Sequence, residues 1–351
     1  MEKSTLVFLF GILSIVFSFT SLDFQLDERN KKRVSWLFFI LIVIQCGFRD
    51  YVHSINDTAN YYQWYNRLLG ETLWDQIKAF DFFSDSYESR DLGYPILVKL
   101  TQLISEDFRF FLVVVAVIIG YPLSQLLCRY STSLSGMFIG MALYEALFAG
   151  FFDTGIRQTI AMGLCYTAFL WHDGGKSWKW WSSLLLVSFT IHSTTAIFLP
   201  IFFLYKIENQ KRLLLISILL APIMMVVAKP LIATIGAGTI FEAYAVDSDN
   251  DLGTPVFTAM VVGVALSLKI LSKQIQASYK DYSILMSAIV MALMLTPMTW
   301  VDSNFIRLVF YYLMFLLPLL SVLVNGLCRE REDIKPLVYA GLASVLIVLS
   351  W

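Results

Sequence analysis

The stretch Phe151-Phe152-Asp153-Thr154-Gly155-Ile156-Arg157-Gln158-Thr159-Ile160-Ala161 sets charged and amide side chains between two apolar runs, Met137 to Gly150 and Met162 to Trp171. An arginine at the mouth of a membrane helix is unfavourable unless it pairs with an anion or faces water, which indicates a functional role for Arg157. The alternative is an interfacial arginine that extends to lipid headgroups, as arginines at helix ends commonly do. The choice depends on which other polar residues share its side of the membrane.

The composition predicts an integral membrane protein. The chain has 351 residues, of which 58% are hydrophobic and only 15% are charged, with a formal net charge of −1. Apolar runs recur from the first residues to the last, so we expect one all-α, polytopic transmembrane domain over residues 1–351. Runs of this length predict roughly 10–12 transmembrane helices, some of them re-entrant or broken. Nucleic acid is not an expected partner.

The positions of lysine and arginine predict the topology, because positive charges stay on the cytoplasmic side. The basic cluster Arg29 to Arg33 is assigned to the cytoplasm, and extracytoplasmic loops are expected at about residues 48–91 and 229–255. Within the first loop, Leu68 to Phe80 has helical apolar spacing, typical of a short amphipathic helix on the membrane surface or of an ordinary loop helix. Leu92 to Ile104 is apolar but short, which favours a re-entrant or interfacial segment.

A broken helix is predicted around His192. The basic loops HDGGKSWKW, from His172, and KIENQKR, from Lys206, both favour the cytoplasm, yet one apolar stretch separates them. A helix broken at Thr190 to Thr195 would rise and return, with His192 at its apex, and such polar backbone is tolerated at membrane depth where it lines a cavity. The alternative is one long tilted helix whose core histidine is hydrogen-bonded to a neighbour.

Metal and disulfide chemistry are not predicted. Asp247, Asp249 and Asp251 alternate like calcium ligands, but they lack the glycine and the distal glutamate of an EF-hand loop. The four cysteines lie in or beside apolar runs at scattered spacing and are interpreted as unpaired packing residues.

The polar residues assigned to the outer face form a group near the ends of the predicted spans. Several arginines on one face suit a substrate with many negative oxygens, since guanidinium groups match phosphate geometry and stabilise a departing diphosphate. A histidine among them can remove a proton from an attacking hydroxyl at neutral pH. The group therefore predicts transfer from a lipid diphosphate, and its members are Arg49, Asp50, His53, Asp57, Tyr61, Arg90, Asp91, Tyr94, Arg157, Gln158, His192, Asp302, Asn304 and Arg307.

This arrangement resembles the EpsG family of Wzy-type polysaccharide polymerases over most of the chain. The residues that carry the resemblance are Arg49 with Asp57 and Tyr61, Asp91-Leu92-Gly93-Tyr94, Gly155-Ile156-Arg157-Gln158 with Ala161, His192-Ser193 ahead of Pro200, and Asn304 with Arg307 and Tyr311. The resemblance implies a GT-C-like fold in the bacterial cytoplasmic membrane. It also implies that oligosaccharide repeat units carried on undecaprenyl diphosphate are joined on the periplasmic or exterior face, without nucleotide sugar, cofactor or obligatory metal.

The resemblance also implies roles for individual residues. Arg157 and Arg307, with Arg49, would hold the donor diphosphate, and His192 would activate the acceptor hydroxyl. The residues expected to bind or orient substrate are Arg49, Asp57, Tyr61, Asp91, Tyr94, Gln158 and Asn304. Expected partners are the lipid-linked donor and acceptor and the membrane lipids, with a chain-length regulator and a flippase as further candidates.

Two other functions also fit an intramembrane cationic site. A flippase for the same lipid-linked sugars would need cationic residues in a cavity, but it would expose them to both faces. A membrane-bound O-acyltransferase would also use an intramembrane histidine, placed toward cytoplasmic acyl-coenzyme A. The face to which His192 is exposed separates these alternatives.

Overall fold

The computed structural model describes residues 3–20, 27–52, 57–81, 91–235, 253–279 and 281–350, and every regular element in these ranges is a helix. The first nine helices are α1 (Lys3–Ser18), α2 (Glu28–Gly47), α3 (Asp57–Leu69), α4 (Leu73–Ala79), α5 (Gly93–Gln102), α6 (Phe108–Tyr130), α7 (Leu134–Thr154), α8 (Ile156–Asp173) and α9 (Trp178–Ile191). After them come α10 (Ile201–Leu204), α11 (Gln210–Ile235), α12 (Gly253–Ile270), α13 (Ser272–Ser278), α14 (Tyr282–Leu295), α15 (Ile306–Leu313), α16 (Leu316–Leu327) and α17 (Lys335–Ser350).

Five helical segments among the described residues are long and apolar enough to cross a membrane, which confirms an all-α, polytopic membrane protein. They are Phe108–Tyr130, Leu134–Thr154, Gln210–Pro230, Tyr282–Trp300 and Glu332–Ser350. A sixth is reached if the pair Ser303–Leu313 and Leu316–Leu327, bent by 63°, counts as one span. The prediction of roughly 10–12 spans is not confirmed by this criterion, since a span needs about twenty apolar residues. Helices α1 and α9 are shorter, and α2 begins with a run of charged residues.

The chain forms two compact units. One contains Met1–Ala196 and Pro336–Trp351, and the other contains Ile197–Lys335. In the first unit, α2 packs along α6, α6 along α8, α8 along α9, and α1 along α7. Close packing of α8 on α6 depends on Gly163, because a Cβ atom there would lie 2.4 Å from the carbonyl oxygen of Ile118. The prediction of a single domain over residues 1–351 stays a prediction.

The two predicted outer loops contain more helix than expected. The 48–91 segment holds α3 and α4, and α11 continues to Ile235, past the predicted loop start at 229. Helix α4 confirms a short helix within Leu68 to Phe80. It begins with a capping box between Thr72 and Asp75. Its residues Leu73, Trp74 and Ile77 are all exposed. Asp247, Asp249 and Asp251 lie outside the described residues.

The predicted break at His192 is confirmed. Helix α9 ends at Ile191, His192 is extended with φ −156° and ψ 112°, and a 3-10 helix follows over Ser193–Phe198. The alternative of one uninterrupted helix is wrong. Helix α9 stops where polar residues replace apolar ones, so His192 lies at a helix end and not within a helical core. The predicted return of the chain to the cytoplasmic side stays a prediction.

We expect Gly163→Ala to destabilise the fold by about 1–3 kcal/mol, because the added methyl group meets backbone that cannot rotate away. The measurement is Tm of the purified protein in detergent. Gly150→Ala is the matched control, because Gly150 is also helical but has open space around its Cα. Equal Tm values for the two variants would contradict the close α6–α8 contact.

Candidate functional site

Arg157 is the second residue of α8, directly after the chain bends at Gly155. Its Nη1 donates to Oδ2 of Asp91 at 2.7 Å, and its Nε faces the hydroxyl of Tyr61 at 3.4 Å. The guanidinium also lies over the ring of Trp64, 5.8 Å from its centroid. The Arg157 and Asp91 side chains are only 12% and 2% exposed. A buried ion pair is stable only when geometry and further polar contacts replace the lost water, and Tyr61 supplies one such contact.

Asp91 also faces His192. Its Oδ2 lies 3.6 Å from Nδ1 of the imidazole, whose side chain is 19% exposed. That separation is longer than a hydrogen bond, but a carboxylate this close stabilises a positive charge on the ring. One carboxylate oxygen therefore faces both the guanidinium of Arg157 and the imidazole of His192. We call Asp91, Arg157 and His192 the polar triad.

The polar triad forms because α5 approaches the end of α9 very closely. Gly93 is the first residue of α5, and a Cβ atom there would lie 2.8 Å from the carbonyl carbon of Thr190. Only glycine fits this separation without movement of the backbone. Gly93 follows Asp91 by two residues, and Thr190 precedes His192 by two. The close approach therefore determines the distance between the carboxylate and the imidazole.

Aromatic side chains pack against the polar triad. The rings of Trp64 and Tyr94 are 4.7 Å apart, and Tyr94 also contacts Tyr61 and Phe111. Tyr94 is fully buried, and its hydroxyl has no hydrogen-bond partner within the described parts of the chain. The structure thus gives Tyr94 a packing position, and its predicted contact with substrate stays a prediction. Tyr61 is half-buried and contacts Arg157.

Arg49 belongs to a different ion pair. Its Nη1 lies 3.5 Å from Oδ1 of Asp153 and donates to the carbonyl of Cys46 at 3.0 Å. The side chain is 9% exposed, and its Nε and Nη2 have no hydrogen-bond partner among the described residues. Burial lowers the pKa of the Arg49 guanidinium, and the Asp153 carboxylate opposes that shift. Arg49 therefore has unused donors for an additional anion.

The remaining predicted residues are divided between the two units. Gln158 is buried beside Arg157, and Asp57 is half-buried as the first residue of α3. Asn304 and Arg307 belong to the second unit. Asn304 is exposed in a 3-10 turn, and Arg307 is half-buried as the second residue of α15. The structure thus brings Arg157, Asp91, His192, Tyr61 and Tyr94 into one cluster of the first unit. His53 and Arg90 lie outside the described residues.

Sequence reasoning missed a polar pair between α2 and α7. A π-helical turn covers Tyr144–Phe148, and Glu145 within it is 1% exposed. Gln45 on α2 donates to Glu145 Oε2 at 3.0 Å. π-Helical turns recur at functional sites. An acidic residue within an apolar run also indicates a functional site, so Glu145 could have been found in the sequence. Sequence reasoning also missed Arg109. Its guanidinium donates to the carbonyls of Gly47 and Arg49 and lies over the ring of Tyr51.

Metal ligands do not cluster in the described parts of the chain, where no three His, Cys, Asp or Glu side chains are placed to share an ion. The four cysteines are free and buried, as predicted.

Comparison with known proteins identifies the family. The sequence profile of the EpsG family matches residues 32–351, which is nearly the whole chain. The protein belongs to the EpsG family. This is a family of Wzy-type polysaccharide polymerases, so a general polymerase function follows. No curated protein and no solved structure matches the chain. The GT-C-like fold therefore stays a prediction.

We expect Gly93→Ala to reduce polymer formation by this EpsG protein, because the methyl group would force α5 away from Thr190 and separate Asp91 from His192. The measurement is polymer per unit of membrane-inserted protein in cells that depend on this chain. Gly150→Ala serves again as the control, since its surroundings are open. Normal polymer from Gly93→Ala would show that the distance between Asp91 and His192 is unimportant.

Proposed function

We propose that this EpsG protein joins oligosaccharide repeat units carried on undecaprenyl diphosphate, on the extracytoplasmic face of the bacterial cytoplasmic membrane. The polar triad is the observation that supports this proposal. Glycosyl transfer from a lipid diphosphate needs a cation for the leaving group and a base for the acceptor hydroxyl, and Asp91 faces one candidate for each. Family membership favours polymerisation over the flippase and acyltransferase alternatives.

The proposed reaction is a displacement at the anomeric carbon of the donor sugar. The acceptor hydroxyl oxygen forms a bond to this carbon while the bond from the carbon to the diphosphate oxygen breaks. The diphosphate leaves on its lipid carrier with the bonding electron pair. Arg157 would stabilise the developing negative charge, assisted by the positive end of α8 at which it stands.

Asp91 explains how Arg157 can remain buried without substrate. A guanidinium near a helix N-terminus is repelled by the helix dipole, and its desolvation adds a further penalty. The carboxylate of Asp91 offsets both at 2.7 Å. An incoming diphosphate would then share the guanidinium with Asp91, which stays bonded to Arg157 and close to the His192 imidazole.

His192 is the proposed general base. As the acceptor oxygen attacks, its proton would move to the imidazole, and the nearby Asp91 carboxylate would stabilise the resulting imidazolium. The proton would later pass to water. The extended backbone at His192 frees the side chain from helical packing, which suits a residue that must meet two substrates.

Other predicted residues have proposed supporting roles. Arg49 offers unused donors and Arg307 repeats the position of Arg157 at the second residue of a helix, so both are proposed to bind diphosphate oxygens. Tyr61, Gln158, Asp57 and Asn304 are proposed to orient sugars. The proposed reaction needs no metal or other cofactor. A flippase that supplies the lipid-linked units and a chain-length regulator are proposed partners.

We expect Arg157→Lys to slow polymerisation about a hundred- to thousand-fold, because lysine keeps the charge but lacks the planar fork that binds two oxygens at once. The assay is the ladder of lipid-linked oligomers formed from purified repeat unit by purified protein. Arg331→Lys is the matched control, since Arg331 also binds a carboxylate through two nitrogens but is exposed. A near-normal ladder from Arg157→Lys would remove Arg157 from the reaction.

A double variant separates folding from catalysis at the same site. Asp91→Asn alone removes the carboxylate that offsets the buried charge of Arg157, so we expect a lower Tm together with lost activity. Asp91→Asn with Arg157→Gln removes both charges, so we expect the Tm to recover while the ladder stays absent. Recovery of the ladder in the double variant would show that the pair is only structural.

We expect His192→Gln to reduce the ladder about a hundred- to ten-thousand-fold while Tm is maintained, because glutamine keeps polar contacts but cannot accept the proton. His172→Gln is the matched control, since His172 packs on Trp181 in the last turn of α8. Unchanged oligomer formation by His192→Gln would exclude it as the base. Activity lost equally in both variants would indicate a general effect of replacing histidine.

A further inference from the structure

A cavity of about 480 Å³ lies within the second unit, where two membrane-spanning segments begin. One edge is formed by the loop Tyr205 to Asn209 and the start of α11, and the other by the start of α14 at Tyr282. Both spans, Gln210–Pro230 and Tyr282–Trp300, begin at this cavity. The cavity therefore lies at the depth of the lipid headgroups, on the side that the lysine pattern predicts to be cytoplasmic.

The walls of the cavity are fixed by hydrogen bonds. Gln210 is 5% exposed, and its Nε2 donates to the carbonyls of Leu204 and Ile207. Its Oε1 accepts from Ser287 on α14 at 3.1 Å. These bonds fasten the loop to both spans, so the cavity is formed before any ligand enters. Its volume is within the range of ordinary small-molecule sites.

The electrostatics of the cavity favour an anion. Among the described residues that line it, Lys206 and Lys211 are basic and the exposed Glu208 is the one acidic residue. The helices α11 and α14 both present their N-termini there, and helix N-termini attract negative charge. A third lysine, Lys269, donates to the carbonyl of Lys211 and holds the end of α12 beside the same loop.

Tyr282 provides independent support for a ligand. It lines the cavity and is only 4% exposed, yet its hydroxyl has no hydrogen-bond partner in the parts of the chain that the structure describes. A buried hydroxyl without a partner is destabilising, so a group that accepts a hydrogen bond from it would remove this penalty. Phosphate oxygens are strong acceptors.

We propose that this cavity binds the phosphate group of an anionic phospholipid headgroup. Lys206 and Lys211 would neutralise the phosphate, Tyr282 would donate to one of its oxygens, and the acyl chains would lie along the apolar spans that begin there. Basic pockets between transmembrane helices on the cytoplasmic side recognise such headgroups. The site does not depend on the proposed polymerase reaction, because none of its residues belongs to the polar triad.

The test is a titration of the detergent-purified protein with phosphatidylglycerol, with phosphatidylcholine and with inorganic phosphate. Bound lipid is counted by native mass spectrometry, and Tm is measured in parallel. We expect phosphatidylglycerol to bind and raise Tm. Phosphatidylcholine should have little effect because its choline cation offsets the charge of its phosphate, and inorganic phosphate should have little effect because it lacks acyl chains. Equal binding of phosphatidylcholine would refute recognition of the anionic headgroup. Protection by inorganic phosphate alone would make a free anion, and not a lipid, the occupant.

Variants distinguish specific binding of the lipid in this cavity from general attraction of anionic lipid to a positively charged surface. Lys206→Gln with Lys211→Gln should weaken phosphatidylglycerol binding about thirtyfold, since each lysine near an anionic surface contributes roughly fivefold. Tyr282→Phe should weaken it about tenfold without any change in charge. The matched control is Lys32→Gln with Lys179→Gln, which removes two exposed lysines elsewhere. Equal loss in the control, or unchanged binding by Tyr282→Phe, would overturn the proposal.

Discussion

The ion pair between Arg157 and Asp91 is the constraint on which the first unit depends. Both side chains are almost completely buried in a protein dominated by apolar residues. Neither charge is stable there alone, so α8, α5 and α3 must meet where guanidinium, carboxylate and the Tyr61 hydroxyl come within contact distance. The aromatic cluster of Trp64, Tyr94 and their neighbours then keeps this meeting point rigid.

Interruptions of the helices put the reactive groups in place. The chain bends at Gly155 before Arg157, and α9 stops at His192. Within a continuous helix each backbone polar group is bonded internally and side chains pack against neighbours. At a helix end the backbone turns, donors and acceptors become available, and side chains can point into a polar pocket. Gly93 adds the close approach of α5 to α9 that an ordinary residue would prevent.

Polar groups outside the polar triad also lie where helices begin. Arg307 stands at the second residue of α15, and the cavity beside Tyr282 lies where α11 and α14 begin. In contrast, Glu145 lies within α7, where a π-helical turn faces it toward Gln45. A carboxylate inside a span requires a polar partner on the neighbouring helix, so this pair also determines how α2 and α7 pack.

The membrane class, the all-helical architecture, the EpsG resemblance and the break at His192 could all be predicted from the amino-acid sequence. These follow from local properties, namely the length of apolar runs, the clustering of basic residues and the identity of residues at helix ends. The pairing of Asp91 with Arg157 and of Arg49 with Asp153, and the burial of the Tyr94 ring, became visible only in the folded chain. Asp91 and Arg157 are separated by 66 positions in the sequence, and no local pattern signals their contact. Such a partner is selected by helix packing, because the buried charge is stable only beside a carboxylate that packing brings within reach.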